Sequence, residues 1–460
     1  MKPLACIVLA AGESSRFKSA APKPLHTIGG RTLLDRVLGT ISELQPDRVT
    51  VVVGVAREQM EQTLSEYDVE IAVQEEQLGT GHAVDRTRSH YADFVGDILV
   101  TCADIPLVRA ETLRSLIDEH QSRSAAATML TTLEPDPTGY GRVIRDDSGL
   151  VARVVEHNDA DEETRRINEI NAGIFCFDAM ALFEALTHLD NHNASGEYYL
   201  PDTLKYLRER GLPVAAWTAD DPTEVMGIND RVQLATADRI CRDRTRDRLM
   251  RAGVTMIDPA AAYVDDRVEV GGDTVIWPGA CILGASTIGC GCQIGDHVLI
   301  SNSHVGDGCL LRHCSSVTDS HLENDVQIGP FANIRGNSVI RARATIGQAE
   351  VNRSEVGPDT KAIHFSYLGD ATVGAGVNIG AGAITCNYDG RRKNQTIIED
   401  GAFIGSDTML VAPVRIGRGA YTAAGSVITA DVPAAALGVA RAKQKIIERW
   451  AERVARDNDK

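Results

Sequence analysis

The stretch VIWPGACILGASTIGCGCQI, residues 275–294, has an aliphatic residue at every sixth position: Ile276, Ile282, Ile288 and Ile294. The same spacing continues on both sides, with a slip of one residue before Val305 and again before Leu322, at Val264, Val270, Ile300, Val305, Leu311, Val317, Leu322, Ile328, Ile334, Ile340 and Ile346. A period of six matches neither a helix, with about 3.6 residues per turn, nor the two-residue alternation of an ordinary strand. It predicts a coil of short strands that turn their aliphatic side chains toward one interior.

A glycine often follows the aliphatic residue, as in Ile288-Gly289 and Ile294-Gly295, where a small residue can turn a corner. This pattern resembles the hexapeptide-repeat class, and the resemblance implies a left-handed parallel β-helix over residues 252–460. Two segments break the period, Arg341–Lys361 and the polar, basic Cys386–Gln395. Breaks in a solenoid map to loops, so we expect functional residues there.

Residues 1–229 follow a different rule. Short aliphatic runs at 6–9, 49–53 and 97–101 alternate with helical stretches at 32–44 and 111–120. Runs without polar alternation are typical of strands buried on both faces of a parallel sheet. We therefore predict an α/β domain here. Residues 230–251 contain no internal glycine or proline and are rich in charge, which predicts one exposed connecting helix.

Composition narrows the classes of function. The chain has 460 residues, 43% of them hydrophobic, and a formal charge of −17, so buried cores are expected and a nucleic-acid or membrane-surface partner is not. The longest apolar stretches, such as Ala5–Ala11, are far shorter than the roughly 20 residues of a membrane span, and no signal peptide opens the chain. We expect a cytoplasmic protein. The ten cysteines lack paired C-x-x-C spacing, which favours reduced, buried thiols over a zinc site.

The segment LAAGESSRF, residues 9–17, follows directly on the first predicted strand, and Pro22-Lys23 comes shortly after it. Small residues at a strand-to-helix turn let backbone N–H groups approach phosphate oxygens, while Arg16 and Lys23 supply positive charge. The spacing is not that of a Walker loop. Alone, the first block is equally typical of a structural turn; together the two blocks resemble the signature of sugar-phosphate nucleotidyltransferases.

Two further blocks follow in order. Residues 74–83, QEEQLGTGHA, offer side-chain amides and a glycine-rich turn to a nucleobase, although a plain loop is the alternative. Asp104 follows a buried strand, where a carboxylate is poorly explained by packing and well explained by Mg²⁺. The alternative for Asp104 is a helix N-cap. The blocks at 139–142, 155–157, 169–173, 196–199 and 227–230 complete the series.

The whole series resembles the family of bifunctional N-acetylglucosamine-1-phosphate uridyltransferases/glucosamine-1-phosphate N-acetyltransferases, from about residue 3 to 445. For the first domain the resemblance implies a Rossmann-like nucleotidyltransferase fold with a mixed, mainly parallel sheet, in which Arg16 and Lys23 are catalytic and Mg²⁺ is held by Asp104 and Asn229. It also implies substrate contacts, to the nucleotide or the sugar, at Leu9, Ala10, Gly12, Gln74, Gln77, Gly79, Thr80, Gly141, Glu156, Asn171 and Asn229.

A second set of blocks, at 361–370, 378–382, 386–390 and 405–408, matches the acetyltransferase half of that family. The resemblance makes His364 the general base, and a neutral imidazole near pH 7 can take the proton that an ammonium group must lose. Alone, such a histidine is more often structural. The resemblance implies contacts to the amino-sugar phosphate at Arg335, Asn352, Tyr367, Asn378, Asn387 and Tyr388, and to the co-substrate acetyl-CoA at Ala381, Ser406, Ala424 and Arg441.

The sequence departs from the family pattern at several positions. Ser14, Ser15 and Phe17 replace the second Gly, the Thr and the Met of the G-x-G-T-R-M cradle, and Asn352 stands where a phosphate-binding Lys is expected, with Arg353 beside it. Residues 434–460 are predicted to end in a helix-like, basic tail that contains Arg441, Lys443, Lys445, Arg449 and Arg453. A solvated helix face and a role in holding phosphates are equally plausible for this tail.

The resemblance implies a homotrimer that acts on UTP, amino-sugar 1-phosphates and acetyl-CoA. Two alternatives stay open: a single-activity nucleotidyltransferase whose solenoid only trimerises it, and a protein that binds nucleotide-sugars without turnover.

Overall fold

The computed structural model describes residues 2–12, 15–54, 57–147 and 149–458, and the chain forms two compact units, residues 1–241 and 242–460. Ser14, singled out above, lies outside the described residues. The boundary between the units falls within one long helix, Arg231–Arg251.

The first unit contains a mixed, mainly parallel sheet. Its strands, together with a short separate hairpin of β2 and β3, are β1 (Leu4–Ala10), β2 (Thr27–Ile28), β3 (Arg31–Thr32), β4 (Arg48–Val53), β5 (Glu70–Val73), β6 (Asp97–Cys102), β7 (Ala127–Leu133), β8 (Arg142–Arg145), β9 (Val151–Val155), β10 (Glu169–Asp178) and β11 (Val214–Ala219). The order across the sheet is β11-β7-β10-β6-β1-β4-β5, and β8 pairs with β10 and β9. Only β10 and the β8–β9 hairpin run antiparallel to their neighbours.

The helices are α1 (Leu33–Ser42), α2 (Arg57–Leu64), α3 (Thr80–Asp85), α4 (Ala110–Ser122), α5 (Glu162–Arg165), α6 (Ala179–Leu186), α7 (Asp202–Glu209) and α8 (Arg231–Arg251). Helix α1 illustrates how the sequence sets them. Thr32 caps its first turn by accepting a hydrogen bond from the Asp35 backbone N–H, and Leu34, Val37 and Ile41 bury one face.

Strand β1 is buried on both faces of the sheet. Ala5 and Ile7 pack into one hydrophobic cluster, while Cys6 and Val8 pack into another. Its parallel neighbours are β4, with Val8 opposite Val51, and β6, with Val8 opposite Thr101. This explains why the aliphatic run carries no polar alternation.

Helix α8 is not exposed all round, and the prediction of an exposed connecting helix is wrong for one of its faces. Ala237 and Cys241 are buried in a cluster with Phe17 and Ile28, and Leu249 is buried in the core of the second unit. Charged residues dominate the composition of α8, so the sequence alone does not reveal this buried face.

The second unit is a coil of short parallel strands that form three faces. The first face contains Thr255–Met256, Val275–Ile276, Gln293–Ile294, Leu310–Leu311, Gln327–Ile328, Thr345–Ile346, Lys361–Ala362, Asn378–Ile379, Phe403–Ile404, Tyr421–Thr422 and Leu437–Gly438. The second contains Tyr263–Val264, Cys281–Leu283, Leu299–Ser301, Ser316–Thr318, Asn333–Arg335, Ala349–Asn352, Ser366–Gly369, Ile384–Cys386, Met409–Val411 and Val427–Ile428. The third contains Glu269–Val270, Thr287–Ile288, His304–Val305, His321–Leu322, Val339–Ile340, Glu355–Val356, Ala371–Val373, Thr396–Ile398 and Val414–Ile416.

The interior of the coil is the predicted aliphatic stack. Ile276, Ile294, Leu311 and Ile328 follow one another in register and are all buried, and of the predicted positions only Val270 is partly exposed. Both predicted breaks are present. Arg341–Lys361 spans a shortened turn, with Ile346 opposite Ala362, and the Cys386–Gln395 segment is an insertion that displaces Thr396 to the place opposite Ala371.

The tail is helical only at its end, in α9 (Trp450–Asn458). The prediction of a helix-like tail is therefore right at Arg453 and wrong for the stretch from Arg441 to Arg449, which is not helical. Leu437–Gly438 instead adds a last strand to the first face of the coil. Among the described helices, none is long and apolar enough to cross a membrane.

Candidate active sites

A pocket of about 530 Å³ opens where β1 and β6 end in the first unit. Parallel strands bring their carboxyl ends to one edge of a sheet, so the residues after Ala10 and after Cys102 meet there. The lining includes nine of the predicted residues: Leu9, Ala10, Gly12, Lys23, Gln74, Gln77, Gly79, Thr80 and Asp104. It also includes Glu197, from a block quoted above to which we assigned no role. Glu197 stands beside two tyrosines in Gly196–Tyr199, but this local pattern does not show which part of the chain the block packs against.

The Gly79 turn must be glycine. Its φ is +107°, and a Cβ atom placed there would lie 2.6 Å from the carbonyl oxygen of Tyr198. The neighbouring Thr80 hydroxyl accepts a hydrogen bond from the Leu200 backbone N–H at 3.0 Å. The two blocks around Gly79 and Tyr198 therefore form one wall of the pocket.

The two predicted amides make backbone contacts in this wall. Gln74, only 3% exposed, donates to the carbonyl oxygen of Gly79 at 3.1 Å, and Gln77 donates to that of Ala11 at 3.2 Å. These bonds tie the glycine-rich turn to the phosphate cradle. Contact of either amide with a nucleobase stays a prediction.

Each of the two predicted catalytic cations is paired with one of the two predicted Mg²⁺ ligands. The Lys23 ammonium is 2.6 Å from Asp104 Oδ2, and the Arg16 guanidinium donates to Asn229 Oδ1 at 3.2 Å. The two ligands are neighbours, because the backbone N–H of Ile228 bonds to the carbonyl oxygen of Asp104. Two hard oxygen donors that already attract cations fit Mg²⁺, which in proteins commonly keeps other oxygens from water or phosphate. Among the described residues no group of three or more His, Cys, Asp or Glu could hold a metal.

The predicted sugar contacts lie close together: Gly141 directly precedes β8, Glu156 directly follows β9, and Asn171 lies in β10. A Cβ atom on Gly141 would lie 3.0 Å from Glu156 Oε1, and the Gly141 carbonyl oxygen accepts the backbone N–H of Asn171. Burial, reinforced by the carboxylates of Asp202, Asp159 and Glu197, raises the pKa of Glu156 to about 7. This carboxyl therefore exchanges its proton near neutral pH.

His364 lies on the surface of the second unit, between the strands Lys361–Ala362 and Ser366–Gly369. Its neighbours in sequence, Ile363 and Phe365, expose 46% and 66% of their surface. Exposed apolar side chains on both sides of His364, the candidate base, are typical of a surface that binds another molecule.

The predicted amino-sugar contacts follow adjacent rungs of the second face. Arg335 lies opposite Asn352, and Asn352 opposite Gly369. Arg335 forms an ion pair with Glu350 at 2.5 Å, and Asn352 is only 4% exposed. Asn378 begins the strand Asn378–Ile379 on the first face. Tyr388 is exposed in the inserted loop, and the Lys393 ammonium lies over its ring, 4.5 Å from the ring centroid.

The predicted acetyl-CoA contacts form one column on successive coils. Asp407 N–H donates to the Ala381 carbonyl, and Gly425 N–H donates to the Ser406 carbonyl, so Ala381, Ser406 and Ala424 occupy equivalent corners. Arg441, from the tail, donates to the carbonyl oxygen of Ala424 at 2.7 Å. The tail thus brings a cation to the end of the column.

Comparison with known proteins follows the two units. Residues 6–191 match the family described as MobA-like NTP transferase domain, and residues 395–430 match bacterial transferase hexapeptide, six repeats. The protein named bifunctional protein GlmU of Exiguobacterium sp. strain AT1b is 47% identical over 97% of this chain and 99% of its own length. The chain belongs to the GlmU family.

Further GlmU relatives agree. That of Geobacillus sp. strain WCH70 is 46% identical over 98% of each chain, and that of Heliobacterium modesticaldum is 46% identical over 97% of each. GlmU membership confirms the predicted family and the predicted fold class, an NTP transferase domain followed by a left-handed parallel β-helix of hexapeptide repeats. The chain is a bifunctional transferase of nucleotide-sugar synthesis.

Proposed function

We propose that this chain makes UDP-N-acetylglucosamine in two steps. Acetyl-CoA first acetylates glucosamine 1-phosphate, and UTP then uridylylates the N-acetylglucosamine 1-phosphate with release of pyrophosphate. One observation carries the proposal: the two predicted residue sets gather separately, one around a pocket in the first unit and one along a surface of the solenoid. Each reaction thus has its own candidate site.

In uridylyl transfer the sugar phosphate oxygen attacks the α-phosphorus of UTP, and the bond to the β-phosphate breaks as pyrophosphate leaves. No covalent enzyme intermediate is needed, so the protein acts by in-line positioning and charge neutralisation. Lys23 lines the pocket, and Arg16 bonds to Asn229, next to Ile228, whose backbone N–H bonds to the carbonyl oxygen of Asp104. Both cations could therefore neutralise phosphate charge. Asp104 and Asn229 would hold Mg²⁺, which when bound adds positive charge against the triphosphate.

Binding of a triphosphate gives Lys23 and Arg16 stronger anionic partners than they have here. A charge-assisted bond to phosphate competes directly with the Lys23–Asp104 pair. We therefore assign both cations a second role, in which they occupy the oxygens of Asp104 and Asn229 until nucleotide arrives.

In acetyl transfer the nitrogen of glucosamine 1-phosphate attacks the thioester carbonyl, and the carbon–sulfur bond breaks to release CoA. The amine must lose a proton, and His364 takes it as general base. The column of Ala381, Ser406 and Ala424, with Arg441 at its end, is where we place acetyl-CoA, with the guanidinium toward the phosphates.

We further propose a homotrimer that works in the cytoplasm. Exposed apolar residues on the coil support a covered surface: Trp277, Ile363, Phe365, Phe403 and Tyr421. In a trimer a neighbouring copy would close the open site around His364. Buried thiols, such as those of Cys6, Cys176, Cys292 and Cys309, favour a reducing compartment.

Mass spectrometry of the products tests the function. With glucosamine 1-phosphate, acetyl-CoA, UTP and Mg²⁺, we expect UDP-N-acetylglucosamine, CoA and pyrophosphate in equal amounts. Pyrophosphate formed only when N-acetylglucosamine 1-phosphate is supplied would instead support a nucleotidyltransferase whose solenoid has no catalytic role. Binding of nucleotide-sugar with no product would support a non-enzymatic binding protein.

A further inference from the structure

One corner of the solenoid repeats a left-handed backbone conformation on successive coils. The residues at this corner, all with φ between +45° and +71°, are Gly284, Asn302, Asp319, Gly336, Arg353 and Asp370. Glycine, asparagine and aspartate tolerate this conformation, whereas a long side chain such as that of Arg353 meets a steric penalty in it. Arg353 is therefore the exception in the column, and its side chain needs a compensating contact.

Arg353 finds that contact in the next coil. Its Nε and Nη2 donate to Asp370 Oδ1 and Oδ2, each at 2.8 Å, in a bidentate pair. Asp370 also accepts a hydrogen bond from Asn387 Nδ2 at 2.5 Å. The Asp370 side chain is 18% exposed and that of Arg353 is 43% exposed, so the bond to Asn387 is partly buried while the pair with the guanidinium faces solvent. Consistently, the Arg353 guanidinium holds the pKa of Asp370 below its usual value.

Asn387 lies beside the predicted amino-sugar site. A Cβ atom on Gly369 would lie 2.3 Å from the Tyr367 hydroxyl and 2.6 Å from Asn387 Nδ2, so both polar groups crowd the same bare backbone. Gly369 is thus the residue that lets Tyr367 and Asn387 converge. With one N–H of its amide committed to Asp370, Asn387 keeps its second N–H as a donor and Oδ1 as its side-chain acceptor for another partner.

We propose that Asp370 is a positioning residue for acetyl transfer. Clamped by Arg353, it fixes the amide of Asn387 in the orientation that presents Oδ1 as an acceptor to the amino-sugar substrate. This inference rests on the proposed function, because it takes Asn387 as a substrate contact.

The same network gives Arg353 a different role from the one that its position beside Asn352 suggests. Arg353 stands beside Asn352, where the family has a phosphate-binding lysine, but its guanidinium is paired with Asp370. It acts on the substrate through Asp370 and Asn387, not as a replacement for that lysine.

The chain contains a matched control. Arg343 and Asp359, both with φ of +60°, form the same bidentate pair with both bonds at 2.8 Å, at a different corner and outside the proposed sites. Asp370→Asn and Asp359→Asn each remove one carboxylate from an arginine, and asparagine accepts the left-handed backbone. Only the first change touches Asn387.

The test compares steady-state kinetics of acetyl transfer in these two variants. For Asp370→Asn we expect KM for glucosamine 1-phosphate to rise roughly 3- to 10-fold, the effect of one misdirected hydrogen bond, with KM for acetyl-CoA and the uridylyl activity unchanged. Asp359→Asn should leave all of these constants unchanged. Equal KM values in both variants would overturn the proposal.

A double-mutant cycle then separates positioning from general structure. If Asp370 acts through Asn387, Asp370→Asn should change KM by less than about 2-fold in an Asn387→Ala background. Fully additive effects would show that Asp370 acts independently of Asn387 and would overturn the proposal. A wild-type protein without acetyl transfer would contradict the proposed function instead, so the two failures are distinguishable.

Discussion

The pocket of the first unit and the candidate site on the solenoid surface assemble their residues by different rules. The pocket gathers side chains far apart in sequence, such as Lys23, Asp104 and Glu197, because parallel strands end at one edge of a sheet. The solenoid places Ala381, Ser406 and Ala424 in a column because each coil repeats the last. One site is a cavity within a single unit, and the other is an open surface.

The two sites also differ in charge and in exposure to solvent. Inside the pocket, acidic and basic groups neutralise one another, as Lys23 and Asp104 do. On the solenoid, His364 and its apolar neighbours Ile363 and Phe365 are exposed to solvent. We therefore expect the two sites to respond separately to mutation, to metal removal and to pH.

The largest expected effect is the separation of the two activities. His364→Ala should lower acetyl transfer about 100-fold or more, since it removes the proposed general base, while uridylyl transfer is retained. Asp104→Ala should do the reverse. Free CoA release and pyrophosphate release, assayed apart, measure this. Loss of both activities in a variant with an unchanged circular dichroism spectrum would break the comparison.

Removal of Mg²⁺ by a chelator should also affect the two activities differently. EDTA is expected to stop uridylyl transfer, because Asp104 and Asn229 with phosphate oxygens suit Mg²⁺, and to leave acetyl transfer intact. Added Mg²⁺ should restore the lost activity. An acetyl transfer rate that falls in parallel would mean that the solenoid also depends on a metal.

Glu156, among the predicted sugar contacts of the first unit, should cause a loss of stability as pH rises. Burial raises the pKa of Glu156 from 4.5 to about 7, so the folded state holds this proton more tightly than the unfolded state. The stabilising contribution is full below pH 4.5 and is lost as pH rises through 7. Glu156→Gln should therefore raise stability at pH 8 by about 1–2 kcal/mol, allowing for partial exposure, and by little at pH 5.

Urea unfolding at both pH values measures that difference, with Glu169→Gln, on the neighbouring strand β10, as a comparison variant. An equal gain at pH 5 and pH 8 would show that the carboxyl does not titrate in this window.

The smallest expected effect concerns the family lysine replaced by Asn352. Asn352 is buried, but a lysine side chain is long enough to bring its ammonium to the surface near the predicted phosphate. A partly exposed charge pair there is worth about 2- to 10-fold in an equilibrium constant. Asn352→Lys should lower KM for glucosamine 1-phosphate by that factor at low ionic strength. An unchanged KM would place the phosphate elsewhere on the surface.

Much of this architecture follows from sequence because its signals are local. The six-residue period located the solenoid core, and Thr32 with its following leucines located α1 to within two residues at each end. The buried face of α8 escaped because charged residues dominate its composition. Glu197 escaped because no local pattern reveals that its block packs against Gly79. The Arg353–Asp370 pair depends on which coils are neighbours, and the irregular stretch before His364 obscured that register.

Mixing two inactive variants tests the central claim most directly. Neither His364→Ala nor Asp104→Ala alone should convert glucosamine 1-phosphate, acetyl-CoA and UTP into UDP-N-acetylglucosamine. Combined, they should restore its formation, because N-acetylglucosamine 1-phosphate made by the second variant can diffuse to the first. A mixture that yields CoA but no UDP-N-acetylglucosamine, although the His364→Ala variant accepts added N-acetylglucosamine 1-phosphate, would contradict two independent sites joined by a free intermediate.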